Sequence, residues 1–202
     1  YGGVITSVQA CELRLHLRQG HKWAAGEPFT AEDFRYFWQD VANNTLLSPT
    51  VPPMALRVDG ELPTVTFINE TTIRYAWSKP NPAFLPALAS ATPLYIYRPA
   101  HYLKQFHAAY NDEAELNEQA KEKGQRNWAS LHNKEDHAYR NQNINLPSLQ
   151  PWTNTTESPV EPSVFERNPF YHKVDPAGKQ LPYIHHFILN MAIGKIIPAK
   201  FC

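Results

Sequence analysis

Apolar and polar residues alternate in two parts of the first 80 residues. Leucines occupy every second position of Leu13–Leu17, with basic residues between them. This period of two predicts a half-buried strand, which Gly20 ends. The same period returns in Thr64–Ile68 and Thr72–Trp77, which are separated by three polar residues. These two segments are therefore predicted to form an antiparallel hairpin.

A helical pattern lies between these strands. Thr30 precedes Glu32 and Asp33, so its side chain is predicted to cap a helix whose first turn carries both acids near the positive end of the dipole. The helix should run to about Asn43. Its apolar residues recur at helical spacing and should face a core; they are Phe34, Phe37, Trp38 and Val41.

The second half of the chain contains further helical segments and then a polar stretch. Helices are predicted over Ala100–Tyr110, Glu113–Lys123 and, as a short third one, Trp128–Asn133. The residues from His137 to Thr156 are rich in asparagine and proline, so a long surface connection is predicted there. It should lead into a strand around Val164–Glu166.

Turn-forming residues are concentrated between Glu166 and Ile184. Asn168-Pro169 predicts an extended or turn dipeptide. Asp175-Pro176-Ala177-Gly178 has the composition of a tight turn, because proline presets φ and glycine tolerates positive φ. The segment is predicted to be strand, turn, strand.

Composition excludes some classes of function. The chain has 202 residues, 43% of them hydrophobic, with 19 basic and 19 acidic side chains. This balance argues against nucleic-acid binding, which depends on clustered Lys and Arg. No apolar run approaches the roughly 18 residues of a membrane span, and the first residues lack the pattern of a secretion signal. The two cysteines, Cys11 and Cys202, are expected to be free thiols.

The motifs that an enzyme would require are missing. The sequence has no Gly-x-Ser-x-Gly elbow, no phosphate-binding glycine loop and no His-Glu-x-x-His. His185 and His186 are adjacent, but neighbours on a strand point to opposite faces and should not share a metal ion. Helix capping already explains the pair Glu32 and Asp33. The sequence therefore predicts no catalytic activity, no metal site and no other cofactor.

Aromatic side chains are the better candidates for a binding site. Tryptophan and tyrosine supply large rigid surfaces with a polar tip, which suits the recognition of varied peptides or sugars. Trp23, Tyr95, Tyr97 and Trp152 lie in loops or in proline-bounded extended segments, and these four are the predicted ligand-binding residues. The alternative for each is ordinary packing in a core or loop.

Two long segments resemble a known family. ERNPFYHKVDPAGKQLPYI, over Glu166–Ile184, and LRLHLRQGHKWAAGEPFTAEDFRYFW, over Leu13–Trp38, are similar to signatures of the family 5 extracellular solute-binding proteins. That family serves ABC importers for peptides, nickel and some oligosaccharides. The segments Lys79–Ala89 and Tyr97–Leu103 also follow its pattern. The resemblance covers roughly residues 13 to 200. His185-His186 departs from it, since the family usually has an acidic and then a basic residue there.

The resemblance implies an α/β fold of mixed helices and strands. It would form a periplasmic-binding-protein-like lobe with a mixed sheet, a β-hairpin and flanking helices. Residues 1–12 would be a divergent N-terminal segment. Residues 13–202 would form part of the N-terminal lobe of a two-lobed protein, with the second lobe absent.

The implied function is that of a substrate-binding component for peptides or related small solutes. Its partner would be a membrane permease, and its location periplasmic or extracellular. With one lobe, binding is expected to be weak or absent, since losing half of the contacts turns a micromolar affinity into about a millimolar one. Two alternatives remain open: a fragment that self-associates through an exposed rim, and a hydrolase acting on glycans or peptides.

Overall fold

The computed structural model describes residues 4–6, 11–49, 52–90, 94–137, 143–157 and 159–190. The chain divides into two compact units. Unit 1 comprises Tyr1–His21 and Glu27–Asp136, and unit 2 comprises Lys22–Gly26 and His137–Cys202. Most of the divergent segment predicted at residues 1–12 lies outside the described residues, as does Cys202.

Unit 1 contains a four-stranded antiparallel sheet. Its strands occur in the spatial order β1-β2-β4-β3. Leu13, Ile73 and Tyr75 turn to the core, as the period of two requires. The predicted strand at Leu13 and the predicted hairpin are both confirmed. The strands are β1 (Val4–Thr6), β2 (Glu12–His16), β3 (Thr64–Asn69) and β4 (Thr72–Ala76).

The first helix of unit 1 begins where the capping pattern predicts. Helix α1 (Ala31–Arg35) continues as a π-helical stretch, Tyr36–Ala42. The Thr30 hydroxyl accepts from the Glu32 N–H at 3.3 Å, and the Asp33 carboxylate accepts from the Thr30 N–H at 3.0 Å. Together these bonds satisfy amide groups that the start of a helix leaves without partners. The prediction of a helix from Thr30 to about Asn43 is confirmed.

The remaining helices of unit 1 follow the predicted order. The helices at Glu113–Glu122 and Trp128–Glu135 confirm the prediction, while the helix predicted over Ala100–Tyr110 is shorter. It ends because His107 leaves the helical conformation, with ψ of 127°, and its ring bonds to the Asp40 carbonyl at 3.0 Å. The elements are α2 (Phe84–Leu88), α3 (Ala100–Leu103), α4 (Glu113–Glu122) and α5 (Trp128–Glu135), with 3-10 turns at Met54–Leu56 and Lys104–Phe106.

A buried polar contact joins the π-helical stretch to α5. The Tyr36 hydroxyl lies 2.7 Å from His132 Nε2, and both side chains are 0% exposed. The His107 ring packs edge-on against His132, 5.7 Å between centroids. The pKa of His132 is lowered to about 3, mainly because burial disfavours the charged ring and also because His107 lies nearby. His132 is therefore neutral in the folded unit at neutral pH.

Unit 2 contains a three-stranded antiparallel sheet in the order β5-β6-β7. Its strands are β5 (Trp152–Asn154), β6 (Ser163–Arg167) and β7 (His186–Leu189). The strand predicted near Val164 is confirmed. The prediction of a surface connection up to Thr156 is wrong at its end, because β5 pairs with β6 there. A hydrogen bond from the Val164 N–H to the Thr156 hydroxyl, at 2.9 Å, extends that pairing beyond β5.

Asn168 and Asp175 organise the turns of unit 2. Asn168 is 0% exposed; its amide donates to the Gln150 carbonyl at 3.0 Å and accepts from the Phe170 N–H at 2.8 Å. The Asp175 carboxylate accepts from two amide groups of its own turn. Gly178 has a φ of +81°, the conformation that glycine adopts without steric cost. The predicted turn is confirmed.

The predicted fold class, mixed helices and strands, is confirmed. The sheets differ from the expected mixed sheet, since every pair among the described strands is antiparallel. The described helices include none with the length and apolar character needed to cross a bilayer.

Candidate functional site

Two of the four predicted ligand-binding residues form a pair in unit 1. Tyr95 and Tyr97 are both half-buried, with ring centroids 5.1 Å apart and planes inclined by 41°. Ile96 between them is buried, as expected when side chains two residues apart share a face. The tyrosine pair therefore combines aromatic surface with two phenol groups in a small area.

Two other aromatic rings pack against Tyr97 of the tyrosine pair. Tyr97 contacts Phe29 and Phe34, with centroids 5.1 and 5.4 Å away. Both phenylalanines are buried. Aromatic pairs of this kind are stabilising, so one side of the Tyr97 ring is packed against buried rings of unit 1.

An arginine adjoins the tyrosine pair and was missed by the sequence analysis as a site residue. The Arg98 guanidinium lies 5.4 Å from the Tyr95 ring centroid and donates to the Tyr97 carbonyl at 2.9 Å. It also forms a 2.6 Å ion pair with Asp136. These contacts fix the cation beside the rings. The sequence could have indicated Arg98, because it follows Tyr97 directly in the segment Tyr97–Leu103, which resembles the family.

Asp33 connects the tyrosine pair to helix α1. Besides capping that helix, its carboxylate accepts from the Ala100 N–H at 3.1 Å, and its carbonyl accepts from the Arg98 N–H at 3.1 Å. One buried residue thus sets both the start of α1 and the path of the chain that carries the tyrosines.

Trp152 forms part of an aromatic ladder in unit 2, which we define as Trp152, Phe165 and Phe187 on one face of the sheet. The Phe165 and Phe187 rings stack, 4.7 Å between centroids and 2° between planes, and Trp152 meets Phe187 edge-on at 5.3 Å. The Trp152 indole N–H donates to the Ile184 carbonyl at 3.2 Å. Phe165 and Phe187 were not predicted as site residues.

Trp23, the fourth predicted residue, is 2% exposed and belongs to unit 2. Its carbonyl accepts from the Gly26 N–H at 2.9 Å, and the neighbouring Ala24 N–H donates to the Ser148 carbonyl at 2.9 Å. Gly26 has a φ of +95°, and the Phe170 ring lies against it. Almost all of the Trp23 side chain is therefore buried by packing, which is the alternative that the sequence left open for it.

The described residues provide aromatic surfaces but no grouping typical of a metal centre. Among the described residues, no cluster of three or more His, Cys, Asp or Glu side chains could hold an ion. His185 and His186 are exposed. What the arrangement offers is stacking and hydrogen bonding, which are the interactions of ligand recognition.

Comparison with known proteins gives one family. Residues 6–192 match the model of the bacterial extracellular solute-binding proteins, family 5. A periplasmic alpha-galactoside-binding protein from Rhizobium meliloti (strain 1021) is 29% identical over 182 residues, which are 89% of this chain and 23% of that protein.

Solved structures agree with this match. The oligopeptide-binding protein OppA is 30% identical, with a TM-score of 0.85, over 98% of this chain and 30% of that chain. The periplasmic binding protein MelB from Agrobacterium fabrum C58, in complex with stachyose, is 26% identical, with a TM-score of 0.67, over 93% of this chain and 26% of that chain. The chain thus spans about a quarter to a third of the length of these relatives.

Proposed function

This chain belongs to the bacterial extracellular solute-binding proteins of family 5, and we propose that it is part of a substrate-binding component of an ABC importer. The observation that carries the proposal is the match over residues 6–192, together with the OppA-like fold. The periplasmic names of the relatives support a periplasmic or extracellular location. Its partners are a small solute and a membrane permease, and it performs no catalysis.

The solute is a peptide or a related small molecule of similar size. The name of OppA supports a peptide. A second class, oligosaccharides with α-galactosidic links, is favoured by the α-galactoside-binding relative and by the stachyose complex of MelB. Aromatic surfaces accept both, since rings stack on sugars and pack against apolar side chains.

Tyr95 and Tyr97 are the main contacts of this proposal. The tyrosine pair is half-buried, the Tyr97 ring packs against two buried phenylalanines, and Arg98 places a cation beside the Tyr95 ring. Contact by Trp152 stays a separate prediction for unit 2, where it belongs to the aromatic ladder. Direct contact by Trp23 stays a prediction and would involve its small exposed part.

Affinity for the 202-residue chain alone is expected to be weak. Relatives are three to four times longer, so this chain supplies only part of their surface. A micromolar ligand that lost half of its binding free energy would bind at about millimolar concentration. Binding also costs free energy because the ligand loses translational and rotational freedom. This cost does not halve with the contacts, so the affinity falls further.

Saturation-transfer NMR tests the proposal, because it detects ligands whose dissociation constants are about a millimolar or larger. The chain would be presented separately with tripeptides and tetrapeptides, and with raffinose and stachyose. We expect a signal from at least one class, diminished in Tyr95→Ala and Tyr97→Ala. Tyr183→Ala is the matched control, since Tyr183 is an exposed tyrosine of unit 2. No signal from either class, or equal signals in all variants, would contradict the proposed site.

A further inference from the structure

The buried contact between Tyr36 and His132 leaves one polar atom without a partner. The Tyr36 hydroxyl bonds to His132 Nε2, while His132 Nδ1 is buried and makes no hydrogen bond within the part of the chain that the structure describes. Both nitrogens of the neighbouring His107 have partners. Its Nε2 donates to the Asp40 carbonyl and its Nδ1 accepts from the Ala109 N–H, each at 3.0 Å. A buried polar atom without a partner is costly, so His132 is a weak point of this packing.

The surroundings of His132 oppose a positive charge on its ring. Its pKa is lowered to about 3, mainly because burial disfavours the charged ring and also because His107 and Arg98 lie nearby. The ring therefore takes up a proton near neutral pH only when it reaches water, which requires α5 to separate from the π-helical stretch. Both carboxylates near the contact already pair with arginines. The titratable and charged groups around the contact are Asp40, Arg98, His107, Tyr110 and Asp136.

Helix α5 is attached to unit 1 mainly by side chains. It is the last element of that unit along the chain, which passes to unit 2 after Asp136. Its attachments include the packing of Trp128 and Leu131, the Tyr36–His132 contact and the ion pair of Asp136. The strands of the sheet, by contrast, are joined to one another by backbone hydrogen bonds. Elements held as α5 is open at a lower free energy than a sheet core.

Asp136 connects the end of α5 to the tyrosine pair. Its N–H donates to the His132 carbonyl at 2.8 Å, and its carboxylate accepts from Arg98 Nε at 2.6 Å. Arg98 in turn lies 5.4 Å from the Tyr95 ring centroid and donates to the Tyr97 carbonyl at 2.9 Å. Movement of the end of α5 therefore removes one of the contacts that fix Arg98.

We propose that the Tyr36–His132 contact is a pH-sensitive switch that controls the hold of α5 on Arg98. As the pH falls, proton uptake by His132 favours a state in which α5 has separated from the π-helical stretch while the sheet of unit 1 stays folded. In that state Asp136 no longer holds Arg98, so acid loosens the arginine beside the tyrosine pair. The switch is independent of which solute binds there.

Hydrogen exchange at pH 7 and pH 5, corrected for the intrinsic exchange rates, tests the switch. An opening that hydrates His132 should become about 25-fold more favourable between these pH values, because the ring regains its ordinary pKa only in the open state. We expect this rise at the amides of residues 131–136. Their opening constants should exceed those of Ile73 and Tyr75 in β4 at least about 10-fold. The Arg98 Nε–H should exchange with the opening constant of α5 and show the same rise.

Two variants separate His132 from other titrating groups. His132→Gln does not titrate, so the rise at residues 131–136 should disappear. His137→Gln, at an exposed position, is the matched control and should keep the rise. If His132→Gln does not fold, the exchange of the wild type alone decides.

Three results would overturn the proposal. Equal opening constants for α5 and β4 would mean that unit 1 opens only as a whole. An opening constant of α5 that does not change between pH 7 and pH 5, or that changes equally in His132→Gln, would show that His132 is not the titrating group. An Arg98 Nε–H whose opening constant differs from that of α5 would show that Asp136 does not transmit the change.

Discussion

The buried His132 should make the stability of unit 1 fall as the pH is lowered. In the folded unit its pKa is about 3, mainly because burial disfavours the charged ring. In the unfolded chain the pKa returns to its ordinary value, near 6.5. Protons therefore bind the unfolded state first, and stability that is fully present above about pH 6.5 is lost as the pH falls from there towards 3.

The magnitude follows from the difference between the two pKa values. At pH 5 the unfolded histidine is almost fully protonated while the buried one is almost fully neutral. Linkage then gives a loss of about 2 kcal/mol in the free energy of unfolding between pH 7 and pH 5. That is a large fraction of the roughly 5–15 kcal/mol that stabilises an ordinary domain.

The assay is urea denaturation at pH 7 and pH 5, comparing the wild type with His132→Gln. Glutamine places a polar group near the Tyr36 hydroxyl but does not titrate. We expect the variant to be less stable at pH 7, because the packing of the ring is lost, and to lose about 2 kcal/mol less than the wild type between the two pH values. The difference between the proteins cancels the contribution of the other histidines.

The matched control is His137→Gln, at an exposed position, which should keep the pH dependence of the wild type. Equal losses in the wild type and in His132→Gln would refute the reasoning. An NMR titration that showed His132 protonating near pH 6.5 in the folded protein would refute it as well.

Three further substitutions test buried polar contacts and one turn. Asp33→Ala removes one of the two hydrogen bonds that cap α1 and the acceptor for the Ala100 N–H. It should lower the free energy of unfolding by about 2–3 kcal/mol in urea denaturation, and an unchanged midpoint would contradict the connecting role of Asp33. Asn168→Ala leaves the Gln150 carbonyl and the Phe170 N–H without their bonds, so a loss of about 2–3 kcal/mol is expected in the same assay, and a loss as small as that of a surface substitution would count against it. Gly178→Ala, at a φ of +81°, should cost about 1 kcal/mol, measured as a lower melting temperature; equal stability would mean that this turn relaxes.

The parts of the fold that could be predicted depend on neighbours in sequence. The cap formed by Thr30 and Asp33 involves residues three positions apart, and the hairpin of β3 and β4 needs only alternation and a short turn. The Asp175 turn is equally local. In each case the side chains that favour the conformation lie within the element itself, so the pattern carries the information.

The contacts that could not be predicted join distant positions. Tyr36 and His132 are 96 residues apart, and nothing in either segment marks the other. The pairing of β5 was missed for the same reason, because a three-residue strand in a polar stretch is defined by its partner β6. Asp33 was correctly identified as a cap, but its bond to Ala100 depends on how the chain returns.

The placement of the candidate residues could be predicted in part. Tyr95 and Tyr97 share a face because they are two positions apart in an extended segment, and the structure brings their rings together. The burial of Trp23 could not be predicted, since it depends on tertiary packing. Arg98 was overlooked because its partner Asp136 lies 38 positions away.

The central claim, that this chain carries solute-binding surface of its family, is tested most directly by chemical-shift mapping. The chain, labelled at its backbone amides and aromatic rings, would be titrated with the peptide or α-galactoside that binds best. The account predicts that the largest shift changes occur at Tyr95, Tyr97 and Arg98, with smaller ones at Trp152. Changes confined to residues elsewhere, or none at ligand concentrations up to about 50 mM, would contradict it.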